Sequence, residues 1–107
     1  MRLTLPRALV LLCAVPTFAD TYATLAPSGT PPSQRMADSC VKDAGPNRMV
    51  MFGGGQIDLS TGTLSFTNDL FSLSLGSGTE AWTQMNVSGP PSARGAHTAV
   101  YDAAGDR

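Results

Sequence analysis

A short apolar run that ends in three glycines constrains this chain more than any other stretch of its sequence. The run covers residues 49–52 and is followed by Gly53, Gly54 and Gly55. A segment of strand length without a polar side chain is typical of a strand buried on both faces. The glycines allow the backbone to turn through positive φ, which other residues reach only with steric strain. The stretch therefore predicts a central β-strand with a sharp exit.

Other short apolar segments alternate with turn-rich sequence. Residues 70–75 alternate with period two, and Trp82 opens another strand-like segment. Short strands at roughly ten-residue spacing, with Gly, Pro, Asn and Asp between them, are typical of all-β domains. We therefore predict an all-β chain with four strands, at about 36–41, 48–53, 69–75 and 81–85.

The polar loop at 56–67 carries a second, smaller β signal. Leu64 and Phe66 alternate with polar residues, as do Ile57 and Leu59. Two alternating segments joined by a short glycine-containing turn are typical of a β-hairpin. We expect a hairpin arm between the second and third strands.

The first 19 residues have the three-part pattern of a secretory signal peptide. Arg2 and Arg7 form a basic start, residues 8–15 are uncharged and apolar, and small residues precede a cut after Ala19. The apolar run is shorter than the roughly 20 residues that span a bilayer. A buried N-terminal helix and an uncleaved anchor are the alternatives. The pattern favours export to a secreted, periplasmic or extracellular location.

Charge and cysteine content limit the partners of the mature chain. Cleavage after Ala19 removes Arg2 and Arg7 and leaves five basic and eight acidic residues, a net charge of −3. An acidic chain without a basic run argues against nucleic acid, and against a membrane beyond the signal peptide. Cys13 leaves with the leader, so Cys40 has no disulfide partner within the chain. Its thiol is either buried or paired with a cysteine of another chain.

The mature chain contains an internal repeat. Arg35 and Arg94, which are 59 residues apart, each stand three residues after the last proline of a Gly- and Pro-containing loop. An aromatic-led apolar segment precedes each loop, and matching Asp-to-Arg turns follow at 43–48 and 102–107. Self-similarity at a fixed period is typical of architectures in which each unit packs against its neighbours.

The order of these elements resembles the kelch repeat. That family has a Pro-x-x-Arg loop, a His-Ser/Thr-Ala-type strand, an apolar strand ending in Gly-Gly, an Asn-Asp-Leu-type strand, and a tryptophan before the next loop. The residues that match are Arg35, Gly53, Gly54, Asn68, Asp69, Trp82, Pro91, Arg94 and His97. The resemblance covers nearly all of residues 20–107, with Asp38 at the usual histidine position and Tyr22 at the usual tryptophan position.

The resemblance implies a fold and a division of the chain. The fold is a kelch-type β-propeller blade of four strands, complete once and accompanied by parts of its neighbours. The segments are a signal peptide at 1–19, the end of a preceding repeat at 20–35, a complete repeat at 36–93, and the start of a following repeat at 94–107. Propellers of this type have about four to eight blades, so further blades are expected as partners.

Architectural roles are expected for most of the matching residues. Gly53 and Gly54 end a strand, and Trp82 buries its ring between neighbouring blades. Arg35 and Arg94 pin loops by bonding to carbonyls or carboxylates, with contact to a ligand as the alternative.

Two further residues stand out in the sequence. His97 is the only histidine, and no metal-binding or catalytic partner stands at a telling distance from it, so a structural role is favoured over a chemical one. Asn86 opens an Asn-x-Ser triplet that fits an N-glycosylation acceptor in a eukaryotic host.

The resemblance implies a non-enzymatic interaction module of an exported protein, which binds a protein or a glycan through propeller loops. The sequence offers no nucleophile elbow, Cys-x-x-Cys pair or phosphate loop, so we predict no catalytic, metal or cofactor site. The alternative is a fragment of a galactose-oxidase-like propeller enzyme with its catalytic residues outside this chain. Tyr22, Tyr101, His97 and Cys40 do not recreate the copper site of that enzyme. A truncated product without function is the third reading.

Overall fold

The computed structural model describes residues 23–107, so the predicted signal peptide at 1–19 and Tyr22 lie outside the described residues. Over this region the chain forms β-strands and no helix, which confirms the predicted all-β class. No membrane-spanning helix therefore occurs within residues 23–107. The strands are β1 (Ser39–Asp43), β2 (Arg48–Phe52), β3 (Gly55–Asp58), β4 (Thr63–Phe66), β5 (Leu70–Ser74) and β6 (Trp82–Met85).

Four strands form one antiparallel sheet in the order β1-β2-β5-β6. At the centre of this sheet, Met51 of β2 lies opposite Cys40 on one side and Phe71 on the other. Both edges of β2 are therefore paired, as expected of a strand in which every side chain but the first is apolar. The apolar run at 49–52 is a central strand, as the sequence predicts.

The first strand begins and ends later than predicted, at 39–43 instead of 36–41. Pairing starts at Ser39 because Ala37 has φ 57°, which interrupts the extended backbone. Met36 instead forms an isolated bridge with Gly55. The limits of β2, β5 and β6 all lie within one residue of the predicted ones.

The predicted hairpin forms between β2 and β5 as a separate two-stranded sheet. Ile57 lies opposite Leu64, and Gly55 lies opposite Phe66. Leu59 belongs to the turn rather than to a strand and is 92% exposed. Asp58 closes this turn, since its carboxylate accepts from the Ser60 amide at 2.8 Å and from the Ser60 hydroxyl at 2.6 Å. These bonds hold the pKa of Asp58 below its ordinary value.

The large sheet has two faces, the Arg35 face and the His97 face, each called after the residue that packs on it. Residues opposite one another in an antiparallel pair point to the same side. The guanidinium of Arg35 lies over the ring of Phe71, and the ring of His97 meets Phe52 edge-on. The Arg35 face carries Met49, Met51, Phe71, Leu73 and Trp82, and the His97 face carries Ser39, Val41, Val50, Phe52 and Leu70.

The core of the sheet lies on the Arg35 face. Met51 and Phe71 are each 6% exposed and Leu73 is 8% exposed. The apolar side chains of the His97 face, by contrast, are only half-buried. The buried apolar side chains of the described residues therefore all lie on the Arg35 face.

The ends of the sheet also differ. At the turn end, the 44–47 turn is joined to the loop after β5 by two bonds between Asn47 and Leu75, at 2.9 and 3.1 Å. At the opposite end, called the hairpin end, lie the β3–β4 hairpin and the loop segments 34–37 and 91–97.

Candidate functional site

The hairpin end collects nearly all of the predicted site residues. Those gathered there are Arg35, Gly53, Gly54, Asn68, Asp69, Asn86, Pro91, Arg94 and His97. Trp82 lies apart from them, because β6 begins at the turn end. There it is opposite Leu73, and its ring is half-buried rather than enclosed.

Arg35 fastens three segments of the hairpin end together. Its Nη1 donates to the Gly53 carbonyl at 3.0 Å, to the Thr67 hydroxyl at 3.0 Å, and to Asp69 Oδ1 at 2.5 Å. Its Nη2 donates to Asp69 Oδ2 at 3.1 Å. The guanidinium also lies 5.6 Å from the centre of the Phe71 ring. The side chain therefore ties the incoming loop to the exit of β2 and to the start of β5.

The Arg35–Asp69 pair is largely removed from water. The two side chains are 4% and 24% exposed, respectively. The bonds from Arg35 favour the ionised carboxylate and hold the pKa of Asp69 below its ordinary value, against the opposing effect of burial. A two-point pair of this kind fixes orientation as well as charge.

At Gly53 and Gly54, equivalent residues of the two repeat copies approach the backbone so closely that a side chain would have no room. A Cβ on Gly54 would lie 3.1 Å from both Arg35 Cδ and Asp38 Cβ. A Cβ on Gly53, which has φ 68°, would lie 2.6 Å from the Arg94 carbonyl oxygen and 3.1 Å from His97 Cε1. The sheet is therefore flanked by one copy of the repeated segment on each face.

His97 holds the second copy against the sheet. Its Nε2 is hydrogen-bonded to the Ser39 hydroxyl at 2.7 Å, and its ring centre lies 5.5 Å from that of Phe52 at an interplanar angle of 74°. A serine nucleophile requires a histidine that a third group orients. Within residues 23–107, His97 Nδ1 is buried and has no hydrogen-bond partner. This geometry favours an anchor over a catalytic pair.

The repeat recurs in the backbone as well as in the sequence. Ala37 and Ala96, which are 59 residues apart, have φ 57° and 53°. Asn47 and Asp106, also 59 residues apart, both have φ 50°. Positive φ at alanine is uncommon and carries no sequence signal, so the sequence gives no warning of the first pair.

The two arginines of the repeat share a local geometry. Arg35 donates from Nε to the Ser33 carbonyl at 3.1 Å and from Nη2 to the Ser33 hydroxyl at 2.9 Å. Arg94 makes the same two bonds to Ser92, at 3.0 and 2.9 Å. Of these two arginines, however, only Arg35 has a carboxylate partner among the described residues.

The turns that follow the arginines also match. Asp43 and Arg48 form an ion pair at 2.9 Å across the β1–β2 turn. Asp102 and Arg107 form the equivalent pair at 3.4 Å, with backbone bonds in both directions between them. The loop at 94–96 and the turn at 102–107 thus repeat the local geometry of residues 35–37 and 43–48.

Hollows lie near these residues, among them one beside Asn68, Asp69 and Asn86. A second, of about 260 Å³, lies between the segment 34–36 and strand β3. A third, of about 340 Å³, lies on the His97 face and has a mainly apolar lining that includes Val41, Val50, Arg94 and Ala99. Within residues 23–107 no three His, Cys, Asp or Glu side chains are close enough to share a metal ion.

Three remaining sequence predictions concern single polar residues. Asn68 and Asn86 are exposed, and Asn86 directly follows β6, where a glycan would meet solvent. The Cys40 thiol is exposed, which argues against burial, the first of the two alternatives given for it. It donates to Asp38 at 3.4 Å, and partial burial together with Asp38 raises the pKa of the thiol.

Comparison with known proteins identifies no relative. The chain matches no family model, and neither the curated proteins nor the solved structures give a match. Support for the repeat therefore comes from its two copies within this chain.

Proposed function

We propose that this chain is a kelch-type propeller repeat of an exported protein and that it acts as a non-enzymatic interaction module. The hairpin end of the sheet is the binding surface, and a protein is the ligand. One observation carries the proposal: the β3–β4 hairpin presents apolar side chains to solvent at the end of the sheet where the repeat segments converge.

The apolar residues of the two hairpin strands, Ile57, Leu64 and Phe66, share one side of it, and Leu59 lies in the turn that joins the strands. In a strand, residues two apart point to the same side, and Ile57 lies directly opposite Leu64. The exposed side chains are Ile57 at 44%, Leu59 at 92%, Leu64 at 50% and Phe66 at 47%. A rimmed apolar surface of this kind is typical of an interaction site. Three aliphatic side chains and one aromatic ring favour a protein over a glycan, which is bound mainly by polar groups and stacked rings.

The base of the hairpin is rigidly supported. Gly55 and Met36 exchange backbone bonds at 2.8 and 2.9 Å, and the Thr67 amide bonds to the Gly54 carbonyl at 3.0 Å. Arg35 bonds to both the Gly53 carbonyl and the Thr67 hydroxyl. A loop held at its base by a scaffold is suited to recognition, since little order remains to be gained on binding.

The repeated conformation supports the propeller part of the proposal. Each face of the sheet is contacted by one copy of the same segment, which is the arrangement expected of one layer in a stack of similar units. The signal peptide that the sequence predicts at residues 1–19 supports the export part of the proposal.

Selection of peptide ligands tests the proposal. The full chain is panned against a displayed random-peptide library and, in parallel, against a glycan array. We expect apolar peptides to be selected. Their affinity should fall at least about tenfold for the Leu59→Asp variant, because the substitution places a charge where the bound peptide would bury apolar surface. Ser77→Asp, at the turn end, is the matched control. Peptides that bind Leu59→Asp as tightly as the parent chain, or binding of glycans alone, would contradict it.

A further inference from the structure

Strand β4 of the hairpin has an open backbone edge. Gly55 of β3 exchanges backbone bonds with Met36, at 2.8 and 2.9 Å, so its amide and carbonyl point away from β4. Bonded and non-bonded pairs alternate along an antiparallel ladder. Phe66, which lies opposite Gly55, and Leu64, two residues before it, therefore point their amides and carbonyls away from β3. Within residues 23–107 no other segment bonds to these groups.

This edge lacks the features that normally protect a strand edge. Native edges are blunted by charged side chains, proline, bulges or a covering segment. Strand β4 reads Thr-Leu-Ser-Phe, and all of its residues are exposed. The edge strands of the large sheet differ, because β1 carries Lys42 and β6 is met by Ser28, whose carbonyl accepts from the Trp82 amide at 2.8 Å. Within the part of the chain that the structure describes, β4 thus offers an unprotected edge for further pairing.

We propose that β4 binds an extended peptide of the protein ligand as an added antiparallel strand, with apolar side chains opposite Leu64 and Phe66 and a basic side chain opposite Thr63. The inference rests on the proposed function, in which a protein binds at the hairpin end, and it states how that protein is held. In strand addition, backbone hydrogen bonds provide affinity and alternate side chains provide specificity.

The apolar side of the hairpin is prepared for such a strand. Residues opposite one another point to the same side, so peptide side chains opposite Leu64 and Phe66 would extend the apolar row that begins at Ile57. A Cβ on Gly55 would lie 3.0 Å from Leu64 Cδ1 and 3.3 Å from Phe66 Cε1, and one on Gly95 would lie 2.8 Å from Phe66 Cε1. Both side chains thus pack against backbone, which lowers the cost of ordering them on binding.

Charge complementarity on the other side of the hairpin favours a basic peptide over a second copy. Asp58 lies opposite Thr63 and is exposed, and it is the only charged residue of the segment 55–67. Because neighbouring strands are about 4.8 Å apart, a lysine or arginine opposite Thr63 can reach across Thr63 toward the Asp58 carboxylate. The β4 edge of a second copy brings no such partner, since residues 55–67 contain neither lysine nor arginine.

Methylation of alternate peptide amides tests the backbone bonds. The probe is the synthetic peptide acetyl-Thr-Val-Thr-Ile-Lys-Thr-amide, whose valine and isoleucine would lie opposite Phe66 and Leu64. We expect N-methylation of either residue to weaken binding to the full chain at least about tenfold in calorimetry, because each change removes a bond and adds a clash. N-methylation of the threonine between them, whose amide would point away from β4, should change the affinity less than about twofold. Equal losses at all three positions, or no binding of the unmethylated peptide at millimolar concentration, would overturn the proposal.

Variants of Leu64 test the same bonds from the side of the chain. Leu64→Pro removes an amide hydrogen that points away from β3, so the hairpin should stay paired. Leu64→Ala is the matched control, because it shortens the side chain and keeps the donor. We expect Leu64→Pro to bind the probe at least about tenfold more weakly than Leu64→Ala, with far-ultraviolet spectra to compare their folding. Equal affinities would contradict the added strand.

The charge of the peptide tests the register. The lysine probe should bind the parent chain about threefold more tightly than its glutamate analogue. Asp58→Asn keeps an oxygen for the bonds from Ser60 and should abolish this preference, whereas the remote Asp106→Asn should retain it. A preference that persists in Asp58→Asn would contradict the position given to the basic side chain.

Failure of the added strand and failure of the proposed function give different results. Selected peptides that depend on Leu59 but tolerate methylation at every amide would keep the proposed function and reject strand addition. Dimerisation of the full chain that Leu64→Pro abolishes, without binding of the probe, would assign the edge to a second copy and would likewise reject it.

Discussion

Arg35 and Asp69 form a two-point ion pair across 34 residues of sequence, with distances of 2.5 and 3.1 Å. The pair joins the loop before the sheet to the start of β5, and Arg35 also bonds to the carbonyl at the end of β2. Because the Arg35 side chain is almost fully buried, removal of either partner leaves an unpaired charge in the interior.

Replacement of the two repeat arginines should have unequal effects. Arg35→Ala leaves Asp69 and the Gly53 carbonyl without their donor, and we expect it to lower the free energy of unfolding by about 3 kcal/mol. Arg94→Ala removes only local bonds on an exposed side chain and should cost at most about 0.5 kcal/mol. Urea titration followed by Trp82 fluorescence, at a concentration where the chain is monomeric, measures both. Similar losses for the two variants would contradict the roles assigned to them.

Acid should weaken the fold through Asp69. The folded pKa of this carboxyl lies below its unfolded value of about 3.9. The ion pair therefore contributes fully above that value and is lost as the pH falls through the folded pKa. Asp69→Asn should be less stable than the parent at pH 7, and the difference should shrink as the pH falls below about 4. Urea midpoints across this range measure the effect, and a difference independent of pH would refute it.

Alanine at Gly53 should be more damaging than alanine at Gly62. The two glycines have nearly equal φ, 68° and 69°, so both substitutions incur the same left-handed backbone strain of about 1 kcal/mol. A Cβ at Gly62 meets open space, whereas one at Gly53 collides with the Arg94 carbonyl. We expect a further loss of about 1–3 kcal/mol for Gly53→Ala. Thermal or urea unfolding of the two variants isolates the steric part, and equal losses would argue against the close approach.

The phenol of Tyr101 should lose its proton at a higher pH than an ordinary tyrosine. Its hydroxyl donates to Asp106 at 2.7 Å, and this bond, with smaller effects from burial and from the nearby Asp43, raises the pKa of Tyr101 to about 12. In a Tyr22→Phe background, ultraviolet absorbance of the phenolate reports Tyr101 alone. Asp106→Asn keeps a residue that tolerates positive φ and should return the pKa toward its usual value of about 10. Asp58→Asn, in the remote hairpin, is the control, and an unshifted pKa in Asp106→Asn would count against the bond.

The sequence predicts the strands well because their signals are local. The apolar run before Gly53 and the alternation in residues 70–75 each specify a strand without reference to the rest of the chain. The start of β1 is different, since it depends on positive φ at Ala37, for which alanine gives no sign.

The site is less predictable because its contacts span the chain. The sequence indicates that Arg35 bonds to carbonyls or carboxylates, but the choice of Asp69 depends on how β5 returns beside β2. The bond between Ser39 and His97 likewise requires two segments 58 residues apart to meet across one face. Neither pairing follows from spacing or composition.

The close contacts at Gly53 and Gly54 show how the chain passes from one face of the sheet to the other. The chain reaches one face of the sheet at Arg35 and leaves the other face at Arg94, so 59 residues carry it through one sheet thickness. Stacked sheets are about 10 Å apart. Hairpins on successive layers would then stand in a row with that spacing. A ligand longer than about 10 Å would contact more than one layer, and its affinity would depend on how many layers are assembled.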